Sequence, residues 1–307
     1  MKILVTGGAG FIGSHIVDAY IENNHDVVVL DNLSSGKKEN LNPNAKFYQM
    51  DLLDPDVKTL FQKENIEIIN HHAAQSSVNC SVSDPVFDAN SNIIGSLKLL
   101  NHAVSFGIKK VIFASTGGAI YGDQDQLPAS EDLPCHPPSP YGISKFSVEN
   151  YLAFYKNTLN LNTVVFRYSN VFGPRQDPFG EAGVVAIFCN LLARGQSPII
   201  YGDGEQTRDF VSVSDVVRAN LLILNAEGSG LFNVGTGKEI SVNDLTKRLL
   251  KVSGQEAEIK YGPARQGEQR RSSIDYRKFH EKFGWEPIRS MEEELVNAWE
   301  YFKNKAK

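Results

Sequence analysis

Two residues of one short segment carry the side chains for proton and hydride chemistry at an alcohol: Tyr141 and Lys145, four positions apart. On a helix, that spacing puts a phenol and an ammonium on one face, one turn apart. A phenol with a pKa near 10 is a poor base at neutral pH, and a neighbouring cation favours its phenolate. Tyr141 is therefore the candidate acid/base, and Lys145 the group that adjusts it. Upstream, Ser115 and Thr116 close an apolar run, Val111-Ile112-Phe113-Ala114, and lead into Gly117-Gly118-Ala119-Ile120-Tyr121-Gly122. Hydroxyls there would stand at the ligand edge of a sheet, where they would orient a substrate oxygen and relay its proton. The competing role for both is to satisfy backbone groups in the turn.

Tyr-x-x-x-Lys is common by chance, so its weight depends on what precedes it. Gly7-Gly8-Ala9-Gly10-Phe11-Ile12-Gly13 follows a β-branched run, Lys2 to Thr6, and opens onto an amphipathic helical stretch from Phe11 to Asn23. This order of strand, glycine loop and helix is the context a dinucleotide site requires. Gly7 would make the tight turn, Gly10 would admit a pyrophosphate to the backbone, and Gly13 would let helix and strand pack closely. The helix N-terminus would then face the anion. Asp26 to Leu30 reads as a second strand ending at Asp31, about 20 residues beyond the loop, where an acid binds ribose hydroxyls. A carboxylate there repels a 2′-phosphate, so NAD rather than NADP is the predicted cofactor.

Further short apolar runs suit buried strands: Lys46 to Gln49, Ile66 to Asn70, Lys110 to Ala114 and Thr163 to Arg167. Helical spacing over Asn92 to Phe106 and Tyr141 to Asn157 separates the later ones. Such alternation predicts an α/β fold, a Rossmann-type doubly wound parallel sheet. Beyond Arg167 the pattern loosens into loops at Phe172 to Pro178 and Tyr201 to Gly204, of the long kind that carries function. Helices are predicted again over Asn243 to Ser253 and Met291 to Lys303, the latter entered by a capping box of Ser290 with Glu293. The division expected is an NAD-binding domain over 1–167 with a returning segment at about 206–235. A smaller C-terminal lobe would comprise 168–205 and 236–307 and hold substrate over the sheet edge.

Composition narrows the function classes. A chain of 307 residues, 41% hydrophobic, buries a large core, and its formal net charge of −5 gives no footprint for nucleic acid. The first strand begins at Lys2, and no apolar stretch approaches the roughly 20 residues that span a bilayer, so a cytoplasmic protein is expected. Cys80, Cys135 and Cys189 are far apart and lack metal-ligand spacing, which reads as free thiols with no metal. His71 and His72 are assigned to packing rather than to catalysis.

Together, several motifs resemble one family end to end. They are Thr6 to Gly13, Asp31-Asn32-Leu33-Ser34-Ser35-Gly36, His71 to Gln75, Asn92 to Gly95, Ser115 to Gly122, Pro140 to Lys145, Arg167 to Arg175, and Arg208-Asp209-Phe210-Val211. The family is the extended short-chain dehydrogenase/reductases, and within it the UDP-galactose (UDP-glucose) 4-epimerases. The resemblance implies that Tyr141 is the acid/base and that Lys145 holds the ribose and lowers the phenol pKa. A hydroxyl before Tyr121 would bond the 4-hydroxyl; Thr116 is the assignment and Ser115 the alternative. NAD would stay bound, with net inversion at C4 through a 4-keto sugar. Its implied contacts are Gly7, Gly10, Phe11, Ile12, Gly13, Asp31, Asn32, Ser35, Gly36, Asp51, Leu52, Ala73, Ala74, Gln75, Asn92, Tyr141, Lys145 and Tyr168.

For the UDP-sugar, the resemblance implies Asn170, Gly183, Val184, Val185, Tyr201, Arg208, Arg265, Glu268 and Ser272. Arginines suit a diphosphate because the planar guanidinium binds two oxygens at once. Ser272 stands where some relatives have a bulky tyrosine, so an N-acetyl group at C2 is expected to fit. The family habit of pairing the helices near 92–106 and 141–157 across a twofold axis implies a homodimer through a four-helix bundle. The alternatives within the family are a 4,6-dehydratase, for which Gly117 and Gly118 lack the required carboxylates, and a UDP-glucuronate 4-epimerase. A non-catalytic NAD sensor would need the glycine loop but not Tyr141.

Overall fold

Parallel strands need a crossover between each pair, and right-handed crossovers on both faces leave a sheet with two covered sides. The computed structural model, which describes residues 1–179, 183–264 and 269–306, has this form. Its main sheet contains β1 (Lys2–Thr6), β2 (Asp26–Asp31), β3 (Lys46–Gln49), β4 (Ile68–His71), β5 (Lys110–Thr116), β6 (Thr163–Tyr168) and β7 (Gly230–Val234). All are parallel, in the order β7-β6-β5-β4-β1-β2-β3. The order reverses between β1 and β4, which makes the carboxyl ends of those strands the natural ligand crevice.

The expected strands are all present, with shifts at their ends. β5 and β6 run on through Ser115, Thr116 and Tyr168, because Ser115 pairs with Arg167 and Thr116 with Tyr168 across the ladder. β4 starts at Ile68 rather than Ile66 and includes His71. Polar residues at the carboxyl ends hid these extensions in an apolar reading.

Alternate side chains of the strands feed two cores. Ile3 and Val5 join Ile16, Val17, Val216 and Ala219 under the helices Phe11–Glu22 and Val213–Asn225. Leu4 joins Leu60, Phe61, Leu99, Leu100, Val148 and Leu152 under Val57–Glu64, Gly95–Ser105 and Pro140–Leu159. A third core, with Val185, Phe188, Leu192, Leu245, Leu249, Leu295 and Trp299, unites the helices Val184–Ala193, Val242–Ser253 and Met291–Lys305.

Several elements correct the sequence reading. Val184–Ala193 and Val213–Asn225 are helices to which the sequence reading assigned no element. The former is almost wholly apolar and so has no polar face to reveal its period, and the latter is capped by Ser212, whose side chain accepts from Asp215 N. Short helices at Val78–Ser83 and Pro85–Ala89 are likewise capped by Ser77 and Asp84. The 236–307 segment does not stay with the third core. Phe279, on the helix Arg277–Phe283, packs on Phe166 and Phe232 with centroids 5.1 and 5.3 Å away, and Trp285 lies against Phe279. These residues belong to the sheet's own core. Ser290 caps the last helix as expected, accepting from Glu293 N.

A buried lysine ties the far end of the sheet. Lys110, at the start of β5, donates its ammonium to Ile223 O at 2.6 Å, Ala226 O at 2.8 Å and Leu224 O at 3.2 Å. A cation there complements the negative end of the Val213–Asn225 helix. Lys110→Met should cost about 2 to 3 kcal/mol by leaving these carbonyls without their donor. Denaturant unfolding checks it, and a change within about 0.5 kcal/mol would remove Lys110 from this role.

Candidate active site

Along the carboxyl ends of β1, β2, β4, β5 and β6 runs a cleft of about 1010 Å³. Its first wall is the glycine loop. Gly7 has φ +70°, and a Cβ on it would lie 2.6 Å from Ala73 N; a Cβ on Gly13 would lie 2.2 Å from Gly7 O. Side chains are thus excluded where the loops after β1 and β4 touch. The helix that follows has no side-chain cap and no acid in its first turn, so its leading N–H groups are available to an anion.

At the end of β2, Asp31 is buried and already engaged, its two oxygens accepting from Ala9 N at 3.0 Å and Leu33 N at 2.8 Å. It still lines the cleft, with lone pairs to spare for ribose hydroxyls. Gly36 does not line the cleft; a Cβ there would come 2.8 Å from Asp31 Oδ1, so its part is to let the loop close on the carboxylate. Asn32 donates to Asp51 Oδ2 at 2.7 Å, and Ser35, Asp51 and Leu52 complete this end.

The middle of the cleft rests on a chain of hydrogen bonds. Ala73 N donates to Thr6 Oγ1, which bonds His71 Nδ1 at 2.7 Å; His71 Nε2 bonds Ser96 Oγ at 2.9 Å, and Ser96 donates to Asn92 O. Since the Ser96 hydroxyl hydrogen goes to Asn92, His71 must donate from Nε2 and accept at Nδ1. Burial, with the Lys145 charge behind it, keeps that ring neutral, holding its pKa well below the usual value. Asn92 does not line the cleft. It is buried and braces the loop instead, accepting from Gln75 N and donating to Gln75 O, each at 2.9 Å. His72 stacks on Tyr168, centroids 6.0 Å apart, and burial lowers it to about 3.

The cleft fits a dinucleotide. Its loop cradle has no room for side chains, Ala73, Ala74, Gln75 and Tyr168 line its centre, and the buried Ser169 Oγ and His72 Nε2 face it without a protein partner.

At the reacting end, the helix Pro140–Leu159 starts at Ser139, which accepts from Gly142 N. Tyr141 and Lys145 both line the cleft. Lys145 donates to Ala114 O at 3.0 Å and sits 4.7 Å from the Phe113 ring centre. Burial lowers its ammonium to about 8. Burial also raises the Tyr141 phenol, and the Asp88 carboxylate raises it further. Both oppose the phenolate that a neighbouring cation would favour. Ser115 spends its hydroxyl on Glu149 Oε1, at 2.5 Å. Glu149 in turn takes a bidentate grip from Arg167, at 3.0 Å from Nε and 2.6 Å from Nη2, with both side chains buried. Thr116 is the hydroxyl left facing the cleft.

Asn170, Gly183, Val184, Val185, Tyr201 and Arg208 line the far half. Asn170 arrives there on the parallel pair Asn170–Phe172 with Phe210–Ser212, and Arg208 on the antiparallel pair Thr207–Arg208 with Ile240–Ser241. Asp209 pins the turn behind Arg208 by accepting from Thr236 N, Thr236 Oγ1 and Gly237 N. Arg265 and Glu268 lie outside the described residues. Ser272 is buried and is not among the residues lining the cleft; two residues on, Ile274 forms a parallel bridge with Ala129. Sequence reasoning missed Lys37, Arg175, Gln176 and Asp177, which also line the cleft. Lys37 reaches Asp177 Oδ1 at 3.2 Å across 140 positions of sequence. Only a fold brings such a pair together.

The chain matches the family described as NAD dependent epimerase/dehydratase over residues 3–235. The UDP-glucose 4-epimerase of Mycolicibacterium smegmatis is 43% identical over 312 residues, with 100% of both chains covered. The solved structure of the UDP-glucose 4-epimerase of Thermotoga maritima with UDP-glucose is 52% identical, with a TM-score of 0.98 over 100% of both chains. That of the Thermus thermophilus enzyme in complex with NAD is 41% identical, with a TM-score of 0.94 over 99% of both chains.

Removing one partner of the buried Glu149–Arg167 pair leaves an uncompensated charge. Glu149→Ala should therefore cost about 3 to 5 kcal/mol in denaturant unfolding. A loss under about 1 kcal/mol would mean that water or another group takes the place of the carboxylate.

Proposed function

This chain belongs to the NAD dependent epimerase/dehydratase family, and from that premise we propose that it inverts C4 of UDP-hexoses, interconverting UDP-galactose and UDP-glucose. It is an NAD-dependent isomerase. The observation that carries the substrate reading is the convergence of Tyr141, Lys145 and Thr116 on one cleft whose other end is the glycine loop and Asp31. The chemistry supplied by bound NAD is reversible hydride acceptance at C4, with no net oxidation over a turnover.

The chain's own residues do the rest. Tyr141 takes the proton of the 4-hydroxyl and returns it. Thr116 orients the same oxygen, a role supported by the engagement of Ser115 with Glu149. Lys145 holds the nicotinamide ribose, and Asp31 the adenosine ribose. Asn170, the Gly183 to Val185 turn, Tyr201 and Arg208 hold the UDP moiety, joined by Arg265 and Glu268 on the strength of resemblance. Inversion requires the oxidised sugar to present its other face. Elimination across C5 and C6 would need a carboxylate near Thr116. Among the described residues, the carboxylates lining the cleft are Asp31, Asp51 and Asp177, all on other segments.

A homodimer through the helices Gly95–Ser105 and Pro140–Leu159 belongs to the same reading. Ile143, Tyr151 and Phe154 are 50, 43 and 50% exposed on the latter helix; Val104 on the former and Ile94 just before it are also exposed. Ser147 and Asn150, between them, bond carbonyls of their own helix, so burying that face strands neither group.

The purified protein, given UDP-galactose and no added nicotinamide, should form UDP-glucose. Inertness toward UDP-galactose, UDP-GlcNAc and UDP-glucuronate with NAD supplied would overturn the reading. Tyr141→Phe should retain NAD and lose turnover by about 10²- to 10⁴-fold; full turnover would remove Tyr141 from the chemistry. Phe154→Lys should convert a dimer to a monomer in light scattering, and an unchanged mass would place any interface elsewhere.

A further inference from the structure

Asp88 is fully buried, yet it neither lines the cleft nor figures in the chemistry above. It sits on the short helix Pro85–Ala89, and each group facing its oxygens is a donor. Gln75 Nε2 and Asn92 Nδ2 both reach Oδ1 at 2.9 Å, and Ser144 Oγ reaches Oδ2 at 2.6 Å. The orientation of the two amides is not free. Asn92 Oδ1 must face Gln75 N–H, which turns its Nδ2 toward Asp88; Gln75 Oε1 accepts from Ser77 N, which turns its own Nε2 the same way. An ionised carboxylate, which accepts and does not donate, matches all three.

These contacts join three pieces of the site. Gln75 belongs to the loop that walls the cofactor cleft, Asn92 braces that loop, and Ser144 lies between Tyr141 and Lys145 on the helix that carries both. We propose that Asp88 is a positioning residue for the Tyr141–Lys145 pair, locking the 73–77 loop to the 140–159 helix and supplying a fixed negative charge beside both groups. The inference rests on the epimerase reading only for the roles given to Tyr141 and Lys145.

Other charged or titratable groups around the pair do not act on both of its members. His71 and His72, from β4 and the loop after it, are held neutral by burial. Glu149, one turn beyond Lys145 and paired with Arg167 from β6, also favours the Lys145 ammonium. Tyr168, from the end of β6, is itself raised by burial. Asp88 faces neutral donors and has no counter-ion among its hydrogen-bond partners. The direction of its effect follows from Coulomb's law. A neighbouring negative charge disfavours the Tyr141 phenolate and favours the Lys145 ammonium, opposing at Lys145 the effect of burial.

Asp88→Asn keeps the shape and removes the charge. With fluorotyrosine incorporated to bring the phenol into an accessible range, fluorine NMR of the protein as purified should show the Tyr141 midpoint falling by about one pH unit in this variant. The signal is assigned by its loss in Tyr141→Phe. The acid limb of kcat for UDP-galactose should move in the same direction. A folded Asp88→Asn with an unmoved midpoint overturns the inference. Should that variant not fold, Ser144→Ala decides the positioning role: it leaves the charge and midpoint in place and should lower kcat about tenfold at unchanged KM. An unchanged kcat there overturns the inference as well. Absence of turnover by the wild type on any UDP-sugar would instead overturn the epimerase reading, and the midpoint comparison would stand.

Discussion

The buried ion pair of Glu149 with Arg167 is the contact on which the geometry of the cleft depends. It fastens the Pro140–Leu159 helix to β6, and through Ser115 to the end of β5, in a region without solvent to substitute for either charge. The same helix is held nearer its start by Lys145 on Ala114 O and by the fit of Gly142 against Ala119 O, where a Cβ would come within 2.2 Å. A phenol and an ammonium on this helix therefore have little freedom relative to the strand that presents Thr116. Fixed placement of reacting groups is worth more in catalysis than their number.

What the sequence made legible was what short segments determine. The strand, glycine loop and helix at the N-terminus, the acid at the end of β2 and the Tyr141–Lys145 spacing each lie within a few turns of chain. Their periods and turn residues survive without tertiary context. The braces were not legible in this way. Asp88, Lys110 and Glu149 read as ordinary charged residues until partners many positions away surround them, and Val184–Ala193 gave no helical signal because an almost wholly apolar helix shows no polar face.

The two kinds of residue divide the work. Residues that would touch ligands sit on loops at strand ends and were found by type and spacing. Residues that hold those loops are buried polar groups with satisfied partners, such as the chain from Thr6 through His71 and Ser96 to Asn92. Satisfied polar networks in a low-dielectric interior rigidify what they connect, and a partly satisfied one is costly. Substitutions at the second kind of residue change the first without touching it.

The strand order also governs how the chain is made. β7 borders β6 but is separated from it by residues 169–229, which contain a strand pair of their own and the helix Val184–Ala193. During synthesis, β6 leaves the ribosome well before its outer neighbour and presents an open row of backbone donors and acceptors in the interval. Such an edge is a template for pairing with other chains. Pro198 and the glycines flanking the intervening elements break that stretch into short pieces, which shortens the exposed sequence with high strand propensity while the sheet waits for its last member.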